Sequence, residues 1–134
     1  MKSVNTFFCC CAIVWVFAAC GPHYAYEQQT TLPDAVWSYQ DTVAFQFDIP
    51  DTTARYDLYA NVAHEEAFGS QNVYLKILTR FPDRKQTSDV KSFDLYDLQG
   101  NCHGYCAGGN CRTQLLLKAN TKFPMPGAYE IAFV

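Results

Sequence analysis

The sequence predicts an all-β fold, a single antiparallel β-sandwich of about six to seven strands that follows an N-terminal signal helix. Three observations support this class. Apolar and polar residues alternate with a period of two in several segments, which places one face of each strand in a core. Turn-forming pairs that contain proline or glycine separate these segments. Tyrosine and phenylalanine, which suit pleated surfaces, are abundant, with nine and ten copies among 134 residues.

The alternation predicts the individual strands in chain order. Three long strands are expected over residues 43–49, 56–62 and 73–81, and in each of them every second side chain faces the core. Shorter strands are expected over 93–98, 115–119 and 128–134. The turns between the strands are Pro50-Asp51, Pro82-Asp83, Gln99-Gly100 and Pro126-Gly127. Strands of this kind bury one face each when two sheets pack together.

The N-terminal segment has the organisation of a secretion signal. Lys2 provides the basic start, and residues 7–19 form an uncharged apolar run that ends in Ala18 and Ala19. As a helix this run would be about 20 Å long, short of the roughly 30 Å of bilayer hydrocarbon. Cys20 follows the small residues directly, as in a lipobox. Cleavage before Cys20 and lipidation of its thiol are therefore expected.

These features divide the chain into a lipoprotein signal peptide (residues 1–19), a tether (20–34) and a β-sandwich domain (35–134). The lipid would anchor the protein to a membrane of the cell envelope, facing the periplasm or in the outer membrane. Two alternatives remain for the N-terminal segment. It could be an ordinary cleaved signal peptide in which Cys20 is incidental, or a helix buried in the fold.

Charge and motifs exclude several classes of function. Once residues 1–19 are removed, nine basic and thirteen acidic side chains remain, without a basic cluster, so nucleic-acid binding is not expected. His64-Glu65-Glu66 lacks the second histidine of a metalloprotease helix, and a solvated loop is expected there. No nucleophile elbow is present in the sequence. Acidic residues near turns could hold Ca²⁺ or, more simply, cap those turns: Asp48, Asp51, Asp94 and Asp97. The protein is expected to be non-enzymatic and to need no cofactor.

A cluster of metal-binding side-chain types lies in residues 102–111, CHGYCAGGNC. Cys102, His103, Cys106 and Cys111 are the donor set of a Cys₃His zinc site. Cys102 and His103 are adjacent in sequence, however, and cannot easily fill two corners of one tetrahedron. A single disulfide across the Gly-rich loop, with one thiol left over, suits an oxidising envelope better. Three unpaired thiols are the other alternative, and no metal is expected.

Aromatic side chains form a candidate binding surface, made of Trp37, Tyr39, Tyr59, Tyr74 and Tyr96. If two or three of them cluster outside the core, they would form a patch that stacks on sugar rings or contacts a partner protein. Scattered surface aromatics or a second buried face are the alternatives. The sequence does not decide between them, because a shift of one residue in register exchanges the two faces of a strand.

Four longer segments each match a family motif only weakly, but their order along the chain is a more specific match than any one of them. They are VWSYQDTVAFQFDIPDTTARYDLYANV (36–62), NVYLKILTRFPD (72–83), DLYDLQGNCHG (94–104) and FPMPGAYEIAF (123–133). The first segment is similar to a motif with a tryptophan followed by the strands F-x-F-x-I-x-D-T and Y-x-L. The second is similar to a strand N-l-y-L that ends in a Phe-Pro turn. The third is similar to L-x-D-x-x-G-x-W-x-G, and the fourth to F-x-x-x-G-x-Y-x-f. In this order, behind a lipobox, the chain resembles the gliding-motility lipoprotein family of the Bacteroidetes, the GldH type.

The chain departs from the pattern of that family at two places. Cys102 stands where the family usually has tryptophan between two glycines, and Cys106 stands near another common glycine. The family also normally continues into a basic segment and a closing strand, whereas this sequence stops at Val134. The sequence is therefore either a shortened member of the family or a fragment of a longer chain, and in both cases one sheet edge is expected to lack a neighbouring strand and to expose unpaired backbone groups.

The resemblance implies an envelope-anchored accessory of the gliding machinery, which in these bacteria is linked to type IX secretion. The expected partners are a membrane, through the N-terminal lipid, and other envelope proteins of that assembly. The resemblance supplies no catalytic residues. The alternative function is a carbohydrate-binding surface lipoprotein that would use Trp37 and exposed tyrosines as stacking platforms.

Overall fold

The computed structural model describes Gly21 and residues 23–134, and it confirms the all-β class. One sheet has four antiparallel strands in the order β1-β7-β3-β4, and the other has three in the order β2-β6-β5. The strands are β1 (Val43–Ile49), β2 (Tyr56–Glu65), β3 (Asn72–Arg80), β4 (Gln86–Asp94), β5 (Tyr105–Ala107), β6 (Asn110–Thr121) and β7 (Gly127–Phe133). A 3₁₀ turn (Pro33–Ala35) precedes them. The expected signal peptide 1–19 and Cys20 lie outside the described residues.

The inner faces of the two sheets meet in one hydrophobic core. Its buried side chains come from β3, β6 and β7 and from the loop after β4: Leu75, Ile77, Leu95, Tyr96, Leu115, Leu117, Ile131 and Phe133. The expected inward sets of β1 and β2 pack against this core, which confirms the predicted alternation of those strands. Each fully buried aliphatic side chain contributes about 1.5–3 kcal/mol relative to exposure.

A second cluster of aromatic side chains closes one end of the sandwich around Tyr129. The Tyr129 ring lies 4.8 Å from Phe123, 5.5 Å from Phe81 and 5.9 Å from Phe47, measured between ring centroids. Its hydroxyl donates a 2.8 Å hydrogen bond to the Met125 carbonyl. The ring is therefore surrounded on all sides, and its polar group is satisfied.

The sequence prediction missed β4 and placed a strand over 93–98, whereas β4 ends at Asp94. The positions of β4 opposite Val73, Leu75 and Ile77 are Phe93, Lys91 and Asp89, so its inner face is largely polar. β4 is an edge strand of its sheet. Lys91 turns inward and its ammonium donates a 2.6 Å hydrogen bond to the Leu117 carbonyl of the other sheet. Inward charges on edge strands discourage pairing with other chains.

Tyr26 of the expected tether and Trp37 in the segment before β1 both contact the sandwich. Tyr26 packs its ring on Phe47 of β1, with centroids 5.5 Å apart. Trp37 is half-buried against the core, and its indole N–H donates to the Asp41 carbonyl at 3.1 Å. In the part of the chain that the structure describes, no helix has the length and hydropathy of a membrane crossing.

Candidate functional site

Polar and sulfur-containing side chains gather at one end of the sandwich, beside an open cleft of about 450 Å³. They come from the end of β2, from the loop after β4, and from the β5–β6 hairpin. We call this group the thiol cluster and define it as His64, Tyr96, Cys102, Cys106, Cys111 and Thr113. Tyr96, Cys102 and Cys106 line the cleft directly. Cys111 and Thr113 lie beneath them and are buried.

Cys106 and Cys111 form a disulfide. They are directly opposite each other on β5 and β6, and the two residues between the strand ends are Gly108 and Gly109. Both glycines have positive φ angles, 61° and 82°, as the tight turn of a two-residue hairpin requires. The backbone therefore holds the two sulfur atoms together. Of the alternatives that the sequence left open for the three cysteines of residues 102–111, the structure has one disulfide and one free thiol, Cys102.

The loop that carries Cys102 packs very closely on β6. Cys102 forms an isolated β-bridge with Tyr96, and its sulfur accepts a hydrogen bond from the Gly104 N–H at 3.3 Å. Gly104 lies so close to β6 that an added Cβ would stand 2.0 Å from the Arg112 carbonyl oxygen. Only glycine permits this approach. As a result, the Cys102 sulfur lies 3.7 Å from the Thr113 hydroxyl.

His64 is a member of the thiol cluster and not part of the solvated loop that the sequence predicted. It lies on β2 directly opposite Cys111, and it is half-buried. Its Nδ1 is 3.0 Å from the Glu65 carbonyl oxygen and 3.3 Å from the Tyr96 hydroxyl. Its Nε2 is 3.2 Å from the Thr113 hydroxyl. A carbonyl can only accept, so this network assigns the proton to Nδ1 and the lone pair to Nε2.

Tyr96 anchors this network from the core side. Its hydroxyl donates to the Glu66 carbonyl at 3.0 Å. Burial raises the pKa of Tyr96 above its usual value of 10.0, and the nearby Cys102 and Glu66 raise it further. The hydroxyl therefore stays protonated and remains a donor at neutral pH. Its position in the core corrects the prediction that Tyr96 belongs to an exposed aromatic surface.

His103, which the sequence grouped with the three cysteines, is exposed and makes no side-chain contact with the thiol cluster among the hydrogen bonds of the described residues. Its backbone N–H donates to the Leu95 carbonyl at 2.8 Å, and the side chain that packs against the core at this point of the loop is that of Cys102. The imidazole in the cluster is His64, which spacing alone could not identify. It reaches the cysteines through the pairing of β2 with β6.

The predicted aromatic surface is not assembled. Tyr59 lies on β2 and Tyr74 on β3, both are exposed, and the two strands belong to different sheets, so the rings face opposite sides of the sandwich. Tyr39 is almost fully exposed in the segment before β1, whereas Trp37 is half-buried. The alternative of scattered aromatics describes these residues better.

Asp97 shapes the rim of the cleft. Its carboxylate accepts hydrogen bonds from the backbone N–H of Gln99 and Asn101 and from the Asn101 side chain, at 2.8–2.9 Å. The Asn101 side chain is the largest cause that lowers the pKa of Asp97 below its usual value of 3.8. A lowered pKa contributes stability that is present above pH 3.8 and is lost as the pH falls through the lower, folded-state value.

Replacing Asn101 with alanine should therefore raise the pKa of Asp97 back toward 3.8, because the side-chain donor is removed while the backbone donors stay. An NMR titration of the side-chain carboxyl carbons measures this change. Asp51 is the internal control, since its lowered pKa results mainly from Thr53. Equal shifts at Asp51 and Asp97, or no shift at Asp97, would contradict the assignment.

The geometry also permits exchange within the thiol cluster. The Cys102 and Cys111 sulfurs lie within 4.8 Å of each other. A Cys102 thiolate can attack the Cys111 sulfur, form a new S–S bond and release Cys106 as a thiolate. We therefore expect that Cys111 can pair with Cys102 when Cys106 is removed.

The Cys106→Ser variant should form a Cys102–Cys111 disulfide in place of the native one. The measurement is non-reducing peptide mapping by mass spectrometry. Because the Cys102 and Cys111 sulfurs are close, we expect the Cys102–Cys111 cross-link in more than about half of the molecules. In the Cys102→Ser control the native disulfide remains. If Cys102 and Cys111 both remain free thiols in Cys106→Ser after exposure to air, Cys102 does not reach Cys111.

Comparison with known proteins confirms the family resemblance. A family model described as "GldH lipoprotein" matches residues 24–134. A relative from Christiangramia forsetii, named "Gliding motility lipoprotein GldH homolog", is 26% identical over 132 residues, which are 98% of this chain and 80% of that protein. No solved structure matches the chain. Because the family model covers the whole sandwich and the segment before it, the chain belongs to the GldH lipoprotein family.

Proposed function

We propose that this protein is a lipid-anchored, non-catalytic component of the gliding-motility machinery and acts by holding other envelope proteins. The observation that carries the proposal is the family match, which extends over residues 24–134. The relative from Christiangramia forsetii carries gliding motility in its name. The link to type IX secretion belongs to the same proposal, because gliding and secretion components would share one envelope assembly.

The anchor in this proposal is a lipid on Cys20. Cys20 follows Ala18 and Ala19 at the end of an apolar run too short to span a bilayer. Each methylene group of an acyl chain that enters the membrane contributes about 0.8 kcal/mol, so several chains together hold a small domain firmly. The segment from residue 20 to 34 then spaces the sandwich from the membrane surface of the cell envelope.

The outer faces of the two sheets are the surfaces that remain for protein partners. Most side chains of the thiol cluster already bond to one another, which favours a structural role for the cluster over a catalytic one. The carbohydrate-binding alternative has weaker support, because Tyr59 and Tyr74 point to opposite sides and cannot stack on one sugar.

The proposal is tested in a gliding bacterium whose own family member is replaced by this chain with a C-terminal affinity tag. Metabolic labelling with an alkyne analogue of palmitate should mark the wild type and a Cys11→Ala control. The Cys20→Ala variant should lose the label and leave the membrane fraction, and cells that carry it should spread at least tenfold less on soft agar.

The partner is sought by mild cross-linking and purification through the tag. Envelope proteins should be recovered with the wild type and with Cys11→Ala, and not with Cys20→Ala. Recovery of the lipidated chain alone would overturn the assembly role while leaving the anchor intact. An unlabelled wild-type chain would overturn the anchor.

A further inference from the structure

The thiol cluster places three metal-binding atoms around one point. One ligand atom each from His64, Cys102 and Cys111 lies within 4.8 Å of the other two. In a tetrahedral zinc site, with Zn–S bonds of about 2.3 Å and Zn–N bonds of about 2.0 Å, neighbouring ligand atoms are about 3.5–3.8 Å apart. The observed atoms therefore need to approach by roughly one ångström, which small side-chain rotations can provide.

We propose that His64, Cys102, Cys106 and Cys111 form a binding site for a thiophilic metal ion of the Zn²⁺ class when the Cys106–Cys111 disulfide is reduced. The fourth ligand would be Cys106, which lies directly opposite Cys111 across the hairpin and lines the same cleft as Cys102. The result is a Cys₃His donor set, which is typical of structural zinc sites.

The orientation of His64 suits this role. A metal-binding histidine usually donates its remote N–H to a carbonyl or carboxylate, and this bond leaves the other nitrogen free to bind the ion. Here Nδ1 faces the Glu65 carbonyl at 3.0 Å, while Nε2 carries the lone pair and faces Thr113, next to the Cys102 sulfur. On metal binding, the Thr113 hydroxyl would give up its bond to Nε2 and keep its position beside the sulfur.

The redox state of the cluster decides whether the site exists. In the oxidised protein, Cys106 and Cys111 are joined and only His64 and Cys102 remain as ligands, too few for a stable zinc site. A dithiol reductant would transfer two electrons and two protons to the disulfide, giving two thiols and becoming a disulfide itself. Metal binding would then displace the thiol protons into solution. Cys111 is fully buried, whereas Cys102 and Cys106 line the open cleft, so the ion would be shielded from water on the Cys111 side and reached from the cleft.

A Co²⁺ titration of the full chain tests the proposal, with Cys9, Cys10, Cys11 and Cys20 replaced by serine so that only the cluster can supply thiolates. Under anaerobic conditions and after reduction with a phosphine, one equivalent of Co²⁺ should bind and give the charge-transfer and ligand-field absorption of a tetrahedral thiolate site. Zn²⁺ should displace it. The oxidised chain should show no such absorption.

The variants His64→Gln and His103→Gln form a matched pair. His64→Gln should weaken Co²⁺ binding at least tenfold, because a ligand is lost, whereas His103→Gln should leave binding unchanged within about twofold. Cys102→Ser provides a second ligand variant and should shift the charge-transfer bands even if His64→Gln folds poorly. Absence of thiolate bands in the reduced chain, or equal losses in the two histidine variants, would overturn the proposal.

Discussion

Replacing Tyr129 with alanine is expected to lower the free energy of unfolding by about 3–5 kcal/mol, the range measured for large aromatic side chains removed from protein cores. Tyr129 is 1% exposed and is the largest fully buried side chain among the described residues. Its ring contacts Phe47, Phe81 and Phe123, so truncation would leave a cavity bordered by three rings at the end of the sandwich. For a domain of this size such a loss is a large share of the total stability.

Tyr129→Phe is the control that separates the ring from the hydroxyl. It keeps the packing and removes the two hydrogen bonds of the hydroxyl to Met125, one donated to the carbonyl at 2.8 Å and one accepted from the N–H at 3.4 Å. A loss of about 1 kcal/mol is expected. Both values follow from urea denaturation monitored by circular dichroism. If the alanine variant loses less than twice what the phenylalanine variant loses, the aromatic cluster does not support the fold as described.

Gly104→Ala is the second substitution with a large expected effect, a loss of about 3 kcal/mol from forced overpacking. The added Cβ would stand 2.0 Å from the Arg112 carbonyl oxygen and 2.6 Å from the Thr113 hydroxyl oxygen. Neither neighbour can move away easily, since Arg112 of β6 is paired with both Ala63 of β2 and Tyr105 of β5, and Thr113 is buried. The loop would have to lift from the sheet and carry Cys102 away from the thiol cluster.

Gly69→Ala is the matched control, because Gly69 has no neighbour within 4 Å of the added atom and its φ is not positive. Its unfolding free energy should stay within about 0.5 kcal/mol of the wild type. Thermal and chemical denaturation of the two variants, side by side, measure the difference. In Gly104→Ala, the Cys102 thiol should also react faster with maleimide. A Gly104→Ala protein as stable as Gly69→Ala would mean that the loop does not pack on β6.

The sequence predicted the strands whose inner faces are apolar and failed where they are not. β1, β2 and β3 alternate clearly, and their bounds were found within a few residues. β4 is stabilised by pairing with β3 while its inner face carries Lys91 and Asp89, so hydrophobic periodicity gave no signal. β5 has three residues and exists because the Gly108–Gly109 turn folds it onto β6.

The sequence indicated only those members of the thiol cluster that lie close together in the chain. The three cysteines are close in sequence, and a single disulfide among them was one of the alternatives that the sequence left open. His64 joins them only through the register that places it opposite Cys111, 47 positions further along the chain. Tyr96 was misplaced because it follows β4 in a loop that turns into the core, where strand alternation no longer decides which side chains are buried.

The pairing of β1 with β7 has a consequence for how the chain folds after synthesis. Gln46 and Glu130, which bond across these strands, are 84 residues apart, and among the described strands β1 pairs with β7 alone. An exported polypeptide crosses the membrane with its N-terminus first. Phe45 and Phe47 of β1 would therefore stay unpaired and exposed until almost the whole domain had crossed. Such distant pairing slows folding and favours aggregation. A chaperone that binds extended aromatic segments would therefore be needed most during this interval.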